Sequence, residues 1–342
     1  MNPLAAGIGY LTAATLATAP VAAGPPDPAA GTWRTQARYL MGTVWTIEAQ
    51  GRDVDRAIDE AFTEIRRLDA LLSTYRPESA LSRVNREAGR RWVGVSSETR
   101  ELLERSLGYW RRSGGAFDPT VGALVRLWGF KYRDYRVPAA AEIDAAREKV
   151  GAGHLRVDPA RGVRFARSGL EVDLGAIAKG YAVDRALERL RAGGIRAARV
   201  DAGGNQGVFG PSPAGGAWSF GIRHPRAEGE ILGVTALARG AISTSGDAER
   251  GFWRDGVRYG HIIDPQSGRP VRGMLSVTVV APTAEQADAL STALYVLGTE
   301  RGTRLLEEYP DCHALFVAAG SGPGDHLLAK TAGFDIDIAA AR

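Results

Sequence analysis

Apolar residues recur at the spacing of one helix face in several stretches of the chain. The clearest stretch follows Asp53, a residue type that favours helix N-caps. Its apolar positions are Val54, Ala57, Ile58, Ala61, Phe62, Ile65, Leu68 and Leu72. The same pattern predicts a helix from Ser96/Ser97, helices over 138–149 and about 176–190, and one over 284–297 that Gly298 ends.

Short runs rich in β-branched and aromatic residues predict strands between these helices. Residues 38–50 predict a single strand, whereas residues 73–89 are polar, contain Pro77 and predict a loop. Further strands are predicted over 155–157, 163–165, 199–208, 218–222, 231–237, 241–243, 277–280 and 314–317. Because helices and strands mix without regular βαβ alternation, we expect an α+β fold with largely antiparallel sheets.

Composition and charge exclude several functional classes. The 342 residues are 44% hydrophobic and 24% charged, with a net charge of +4, which suits a globular protein with an ample core. Acidic and basic residues are interleaved, so no nucleic-acid groove or polybasic patch is predicted. Cys312 is the only cysteine, which excludes an intramolecular disulfide and a cysteine-based metal cluster. The histidines show no paired spacing, which argues against a zinc enzyme.

The first 30 residues differ in composition from the rest. They contain no Lys or Arg and one acidic residue, and an Ala-rich apolar stretch over 4–23 ends at Gly24-Pro25-Pro26. We expect a leader or signal-like segment over 1–30, and hence a protein that is periplasmic, exported or membrane-associated, with one domain over 31–342. A disordered or mis-started N-terminus is the alternative, because the positive charges of a signal peptide are missing.

A first candidate site lies where a predicted strand passes into a helix. Asp173 ends the strand, a glycine turns the chain, and Lys179 stands at the start of the helix. Free N–H groups at a helix N-terminus favour a phosphate or another anion, and Lys179 adds a positive charge. Asp173 can accept hydrogen bonds from a ligand. The run matches neither a Walker loop nor GxGxxG, and a capped helix with a surface lysine is the structural alternative.

A second candidate lies on the helix predicted over 284–297. Thr283 and Gln286 form a capping-box pattern that fixes its start. Asp288 and Thr292 then share one helix face, and Ser291 lies close by. Carboxylate and hydroxyl oxygens suit Mg²⁺ better than zinc, and substrate phosphates would complete the coordination shell. A solvated aspartate on an amphipathic helix is the alternative.

Further polar and aromatic candidates lie at predicted turns. His261 precedes an Asp-Pro turn and is a candidate general base or phosphate ligand. The polar run 243–247 offers hydroxyl and N–H donors for a pyrophosphate. Phe117 can line or stack on a ring, and Asp118 can bond a polar ring edge or cap a helix. Tyr75 either meets a ligand or anchors its loop.

Taken in order, these segments resemble the ApbE family of FAD:protein FMN transferases, from about residue 40 to 298. The markers are Met41-Gly-Thr, Ser73-Thr-Tyr75, Gly115-Ala-Phe-Asp-Pro-Thr-Val-Gly122, Val172-Asp-Leu-Gly-Ala-Ile-Ala-Lys-Gly180, Gly203-Gly204, Ser243-Thr-Ser-Gly246, His261-Ile-Ile-Asp-Pro265 and Asp288 with Thr292. The resemblance implies a T-fold-like α+β domain. It also implies Mg²⁺-dependent transfer of the FMN moiety of FAD, through a phosphoester bond, to a Thr or Ser hydroxyl of an acceptor protein, with release of AMP.

The resemblance also implies individual roles. The residues expected to contact FAD are Met41, Tyr75, Ala116, Phe117, Asp118, Asp173, Lys179 and Ile262. Those expected around Mg²⁺ are Ala176 (through its carbonyl), Asp288, Ser291 and Thr292. His261 is the candidate for accepting the hydroxyl proton and Asp288 is its rival, although a metal-bound carboxylate is a poor base. The expected acceptor is a membrane redox subunit, and no nucleic-acid partner is expected.

Two positions depart from the family pattern. Asn205 follows Gly203-Gly204 where the family often has Asp, and Ser267 replaces the usual Thr of the Asp-Pro-x-Thr-Gly turn. Two other functions remain open: a Mg²⁺-dependent FAD pyrophosphatase with water as the nucleophile, and a non-catalytic FAD-binding protein. The presence of Asp288 and Thr292 favours an enzyme over a binding protein.

Overall fold

The computed structural model describes residues 31–322 and 325–338, so the predicted leader over 1–30 lies outside the described residues. The α-helices of the described part are α1 (Val54–Leu72), α2 (Ala80–Glu87), α3 (Ser97–Arg112), α4 (Gly122–Leu127), α5 (Ala140–Arg147), α6 (Ala178–Ala192) and α7 (Ala284–Leu306). Its strands are β1 (Thr32–Leu40), β2 (Thr43–Gly51), β3 (Leu155–Asp158), β4 (Gly162–Phe165), β5 (Ile195–Asp201), β6 (Asn205–Phe209), β7 (Trp218–Arg223), β8 (Ile231–Leu237), β9 (Gly240–Gly246), β10 (Gly251–Arg254), β11 (Val257–Gly260), β12 (Ile263–Asp264), β13 (Arg269–Pro270), β14 (Met274–Ala281), β15 (His313–Ala319), β16 (His326–Lys330) and β17 (Asp337–Ile338).

The largest sheet has eight strands in the order β1-β2-β5-β6-β9-β14-β15-β16. Each neighbouring pair in it runs antiparallel. Strands β17, β8 and β7 form a three-stranded sheet, and the remaining strands pair two by two. The predicted α+β fold with largely antiparallel sheets is therefore confirmed.

Three helices provide most of the packing around the large sheet. Helix α6 packs against α1 and α7, and both α6 and α7 contact strands of the sheet. The apolar stripe predicted for α1 is buried along its whole length. Full burial of a side chain such as Ile65 or Leu68, both 0% exposed, stabilises the fold by about 1.5–3 kcal/mol each. This packing fixes how α6 and α7 meet, and both helices carry candidate site residues.

The prediction of a single strand over 38–50 is wrong. The segment contains the hairpin of β1 and β2, joined by a two-residue turn at Met41 and Gly42 with φ values of 48° and 77°. Residues that favour strands flank the turn on both sides, so the hydrophobic pattern does not reveal it. Residues 199–208 are likewise two strands, β5 and β6, joined by a glycine turn.

Two other local expectations need correction. Residues 73–89 are not only a loop, because they contain α2, whose N-cap Ser79 accepts a hydrogen bond from the Ser82 N–H at 2.9 Å. Asp53 precedes α1, but its side chain makes no capping bond. A polar helix such as α2 presents too few apolar positions for periodicity to identify it.

Other boundaries agree with the sequence. Ser96 caps α3 and accepts a hydrogen bond from the Thr99 N–H at 3.2 Å. The backbone leaves helical geometry at Gly298, with φ of 73°, and α7 then resumes. Across residues 31–322 and 325–338, no helix combines the length and the apolar character needed to cross a bilayer.

Asp184 on α6 ties the start of α7 to its neighbour. Its carboxylate oxygens accept hydrogen bonds from the backbone N–H groups of Ala284 and Glu285, both at 2.8 Å. Asp184→Ala should lower the free energy of unfolding by about 2 kcal/mol, since two helix-start donors lose their acceptor. Urea denaturation at pH 7 measures this. The exposed Glu188→Ala on the same helix is the control, and equal midpoints for the two variants would contradict the prediction.

Candidate functional site

Three turns come together at one end of the large sheet and border the region that we call the cleft. The turn between β5 and β6 touches the start of β2, because a Cβ on Gly203 would lie 2.2 Å from Thr43 Oγ1. A Cβ on Gly204 would lie 3.6 Å from a carboxylate oxygen of Glu249, and one on Gly42 would lie 3.6 Å from the Arg250 guanidinium. The first hairpin, the glycine turn and the segment after β9 therefore border one space.

Met41 occupies an unfavourable backbone conformation at the edge of this space. Its φ of 48° lies in the left-handed region that residues other than glycine rarely adopt. A two-residue hairpin turn of type I′ requires positive φ at both central positions, so Met41 is held there by the β1–β2 pairing. Strained residues of this kind cluster at ligand sites, which is consistent with the predicted FAD contact of Met41.

The central feature of the cleft is the meeting of α6 and α7 at Asp288. The Asp288 side chain is buried, and its Oδ2 accepts a hydrogen bond from the Gly180 N–H at 2.9 Å. A Cβ on Gly180 would lie 2.1 Å from the Ala284 carbonyl oxygen, so only glycine allows the helices to approach this closely. The Lys179 ammonium lies 3.8 Å from Asp288 Oδ1. Burial raises the pKa of Asp288, and Lys179 opposes that shift.

Asn205 completes this cluster. Its carboxamide nitrogen donates to Asp288 Oδ1 at 3.0 Å and to Ser243 Oγ, and its carboxamide oxygen accepts from Lys179 Nζ at 2.8 Å. This is the amide orientation in which the carboxylate and the ammonium both find complementary partners. The residue that departs from the family pattern thus lies between the two charged residues predicted from the sequence.

Hydroxyl groups from two elements surround the same carboxylate. Ser245 of β9 lies 2.9 Å from Ser291 and 3.3 Å from Thr292, measured between side-chain oxygens. Ser243 Oγ lies 3.3 Å from Ser291 Oγ, and the Ser291 hydroxyl donates to the Asp288 carbonyl at 3.0 Å. The structure therefore brings together the three α7 residues predicted around Mg²⁺, and adds the β9 serines.

The donor set suits a magnesium ion. In a regular helix the Gly180 N–H would point to the Ala176 carbonyl, but it donates to Asp288 instead. The Ala176 carbonyl oxygen therefore does not accept a hydrogen bond from the Gly180 N–H. Carboxylate, hydroxyl and carbonyl oxygens are the ligands that Mg²⁺ prefers, so the residues present fit this ion.

His261 directly follows β11 and contacts Arg250 on the segment after β9. Its backbone N–H donates to the Arg250 carbonyl at 3.1 Å, and its ring Nδ1 lies 3.3 Å from the same oxygen. An Nδ1–H donated to this carbonyl leaves the Nε2 lone pair free. Desolvation, with the charges of Arg250 and Lys179, lowers the pKa of His261 to about 4. The ring is therefore neutral at physiological pH and able to accept a proton.

Asp173 lies between the cleft and the turn that carries Phe117 and Asp118. Its N–H donates to the Pro119 carbonyl at 2.8 Å, and its Oδ1 accepts from the Gly175 N–H at 2.7 Å. Burial raises the pKa of Asp173, and the charge of Lys131 opposes that shift. One oxygen of this carboxylate is therefore used by the turn. The predicted ligand contact depends on the other oxygen.

The side chains of Phe117 and Asp118 do not face open space. The Phe117 ring is 2% exposed and packs on Tyr109, so the expectation that it stacks on a ligand ring does not match this structure. Asp118 is buried and accepts hydrogen bonds from Thr120 and from the Ala152 N–H. These contacts favour the structural alternative for Asp118. Contact of Ala116, Phe117 and Asp118 with FAD stays a prediction.

The remaining predicted contacts differ in exposure. Tyr75 is 55% exposed beyond the end of α1, whereas Ala116 and Ile262 are buried at 5% and 8%.

The sequence did not identify Glu249 and Arg250 as site residues. They follow the polar run 243–247 after Ala248, but nothing in their spacing distinguishes them from surface charges. Only the fold of the segment after β9 brings Glu249 against the glycine turn and Arg250 against the first hairpin.

The fold and this cluster define an α+β protein in which a buried carboxylate lies among hydroxyl groups beside a lysine-bearing helix start. The chain belongs to the ApbE family, whose model matches residues 41–316. A protein from Treponema pallidum named FAD:protein FMN transferase is 37% identical over 306 residues, which cover 83% of this chain and 84% of the relative. A protein of the same name from Salmonella typhimurium is 35% identical over 294 residues, covering 83% of each.

Solved structures of ApbE proteins share this fold. The flavin transferase ApbE from Vibrio cholerae superposes with a TM-score of 0.80 at 31% identity, covering 89% of this chain and 98% of that one. The ApbE protein from Thermotoga maritima gives a TM-score of 0.78 at 33% identity, covering 90% and 97%. The resemblance drawn from the ordered motifs is therefore confirmed at the level of family and fold.

Proposed function

We propose that this chain is an FAD:protein FMN transferase that moves the FMN moiety of FAD onto a Thr or Ser hydroxyl of an acceptor protein and releases AMP. Family membership and the names of its relatives support the flavin transfer. The observation that carries the proposal is the convergence of Asp288, Lys179 and the hydroxyls of Ser245 and Thr292 in one cleft. Such a cluster would hold a cation beside a lysine, and both positive charges would then face a diphosphate.

Mg²⁺ would be held by Asp288, Ser291, Thr292 and the Ala176 carbonyl. When bound, this ion would neutralise negative charge on the phosphate oxygens. Lys179 at the start of α6 supplies a second positive charge, and the N-terminal end of the helix dipole favours an anion. Asp173 offers an acceptor to ligand N–H or O–H groups. These groups bind and orient the diphosphate, and positioning of this kind accounts for much of the acceleration in phosphoryl transfer.

His261 accepts the proton of the attacking hydroxyl at Nε2. The hydroxyl oxygen forms a bond to the phosphorus of the FMN half, and the bond from this phosphorus to the bridging oxygen breaks. AMP leaves with that electron pair. Asp288 is the weaker candidate base, because a carboxylate that held Mg²⁺ would be a poor base.

The acceptor and the location of the protein are also part of the proposal. The family resemblance supports a membrane redox subunit as acceptor. The apolar composition of residues 1–30 supports export to the periplasm or the membrane surface.

The proposal is tested by incubating the purified protein with FAD, Mg²⁺ and a candidate acceptor. Flavin fluorescence should remain on the acceptor band in a denaturing gel, and AMP should appear in equal amount. An acceptor whose Thr or Ser is replaced by Ala is the control and should remain dark. AMP released together with free FMN, without a fluorescent band, would favour the pyrophosphatase instead.

A further inference from the structure

Asn205 is held firmly between two charged groups. It begins β6, is 4% exposed and pairs across the sheet with Ser243 of β9. Its own carbonyl accepts from the Ala202 N–H at 2.8 Å, which closes the glycine turn. Backbone and side chain are thus both constrained, so the carboxamide has one position relative to Asp288 and Lys179.

The carboxamide separates an ammonium from a carboxylate that would otherwise meet. Lys179 Nζ lies 2.8 Å from the Asn205 oxygen but 3.8 Å from Asp288 Oδ1. The Asn205 nitrogen in turn satisfies Asp288 Oδ1 at 3.0 Å. A neutral group therefore meets the hydrogen-bonding needs of both residues, while the ammonium and the carboxylate keep only a long contact of 3.8 Å.

A direct Lys179–Asp288 contact would compete with ligands of opposite charge. An ammonium seated on the carboxylate repels a cation, and a lysine engaged there is less available to a phosphate. In a buried site such Coulomb terms are several times larger than in water. The gap of 3.8 Å between Lys179 Nζ and Asp288 Oδ1 is short enough for a lysine side chain to close.

We propose that Asn205 is a positioning residue that keeps Lys179 away from Asp288, so that the carboxylate stays available to a divalent cation and the ammonium to a phosphate. The inference rests on the proposed cation site at Asp288. It names the neutral carboxamide as the reason why Asp288 stays free to bind a cation.

The test measures the binding of Mn²⁺ to the full chain without FAD by electron paramagnetic resonance. Mn²⁺ replaces Mg²⁺ in this experiment because it accepts the same oxygen ligands. Asn205→Ala should raise the Mn²⁺ dissociation constant at least about tenfold, since Lys179 then closes on Asp288. The double variant Asn205→Ala with Lys179→Ala should bind Mn²⁺ at least as tightly as the wild type. A purely structural role would not be rescued by removing the lysine.

Gln206→Ala is the matched control, because Gln206 is the next residue on β6 and its amide faces Arg199 instead. It should bind Mn²⁺ like the wild type. Asn205→Ser, which keeps a polar group for Ser243, should show the same loss as Asn205→Ala and replaces it if the alanine variant does not fold.

Each other outcome overturns the inference. Unchanged binding by Asn205→Ala and Asn205→Ser would show that the carboxamide does not matter. A double variant as weak as the single one would show that it acts without Lys179. A wild-type chain that binds no Mn²⁺ would reject the proposed cation site itself, which distinguishes the failure of the proposed function from failure of this inference alone.

Discussion

Asp288→Ala is expected to lower kcat for flavin transfer at least about 1,000-fold, which corresponds to roughly 4 kcal/mol of lost transition-state stabilisation. Asp288 is the one carboxylate of the proposed cation site, and its loss removes the charge that would hold the ion. FAD binding should weaken less than turnover, because Lys179 and the α6 N-terminus remain. Steady-state assays of fluorescent acceptor, combined with titration of flavin fluorescence, separate the two effects.

Glu300→Ala provides a matched control for this variant. Glu300 is an acidic residue on the same helix, with a side chain that is 85% exposed, and it should retain wild-type transfer. Asp288→Ala should still unfold cooperatively in urea, which shows that the loss of rate is not a loss of fold. Turnover near the wild-type value in the folded variant would contradict the assignment of Asp288 to the cation site.

His261→Ala should lower kcat by about 10²–10⁴-fold, the usual contribution of a positioned general base. The pH profile gives a second signature. Because the pKa of His261 is lowered to about 4, the ring stays neutral as the pH falls through 6.5. The wild-type kcat/KM should therefore stay level to about pH 5 and decline only as the pH approaches 4. The variant should lack that acid limb.

His326→Gln on β16 is the control for the histidine variant and should match the wild type in rate and profile. An inflection of kcat/KM near pH 6.5 in the wild type would place the base in a solvated environment, against the burial found here. Full activity of His261→Ala across the pH range would remove His261 from the proton transfer.

The sequence predicted those parts of the site that depend on local rules. Asp288 and Thr292 share a face because they lie four residues apart on a helix whose N-cap, Thr283, is recognisable from its spacing to Gln286. The turn after Asp173 and the lysine at the start of α6 follow in the same way. Because each is a pattern of neighbours along the chain, one sequence is enough to find it.

The parts that were not predicted depend on distant contacts or special backbone geometry. Asn205 meets Asp288 only because β6 lies beside β9 while α7 packs over both, and no local pattern contains that information. Met41 adopts a left-handed conformation in a turn flanked by residues that favour strands, so the sequence pattern predicts one strand instead of this hairpin. Phe117 is suited to stacking by residue type, but the packing of α3 buries its ring against Tyr109.

The most direct test of the central claim follows the two phosphorus atoms of FAD. One preparation of FAD carries radioactive phosphorus in the FMN half and another carries it in the AMP half. Each preparation is incubated with the protein, Mg²⁺ and the acceptor. The first label should remain on the denatured acceptor, and the second should leave as AMP. Recovery of the first label as free FMN, or of either label as intact FAD, would contradict transfer to a protein hydroxyl.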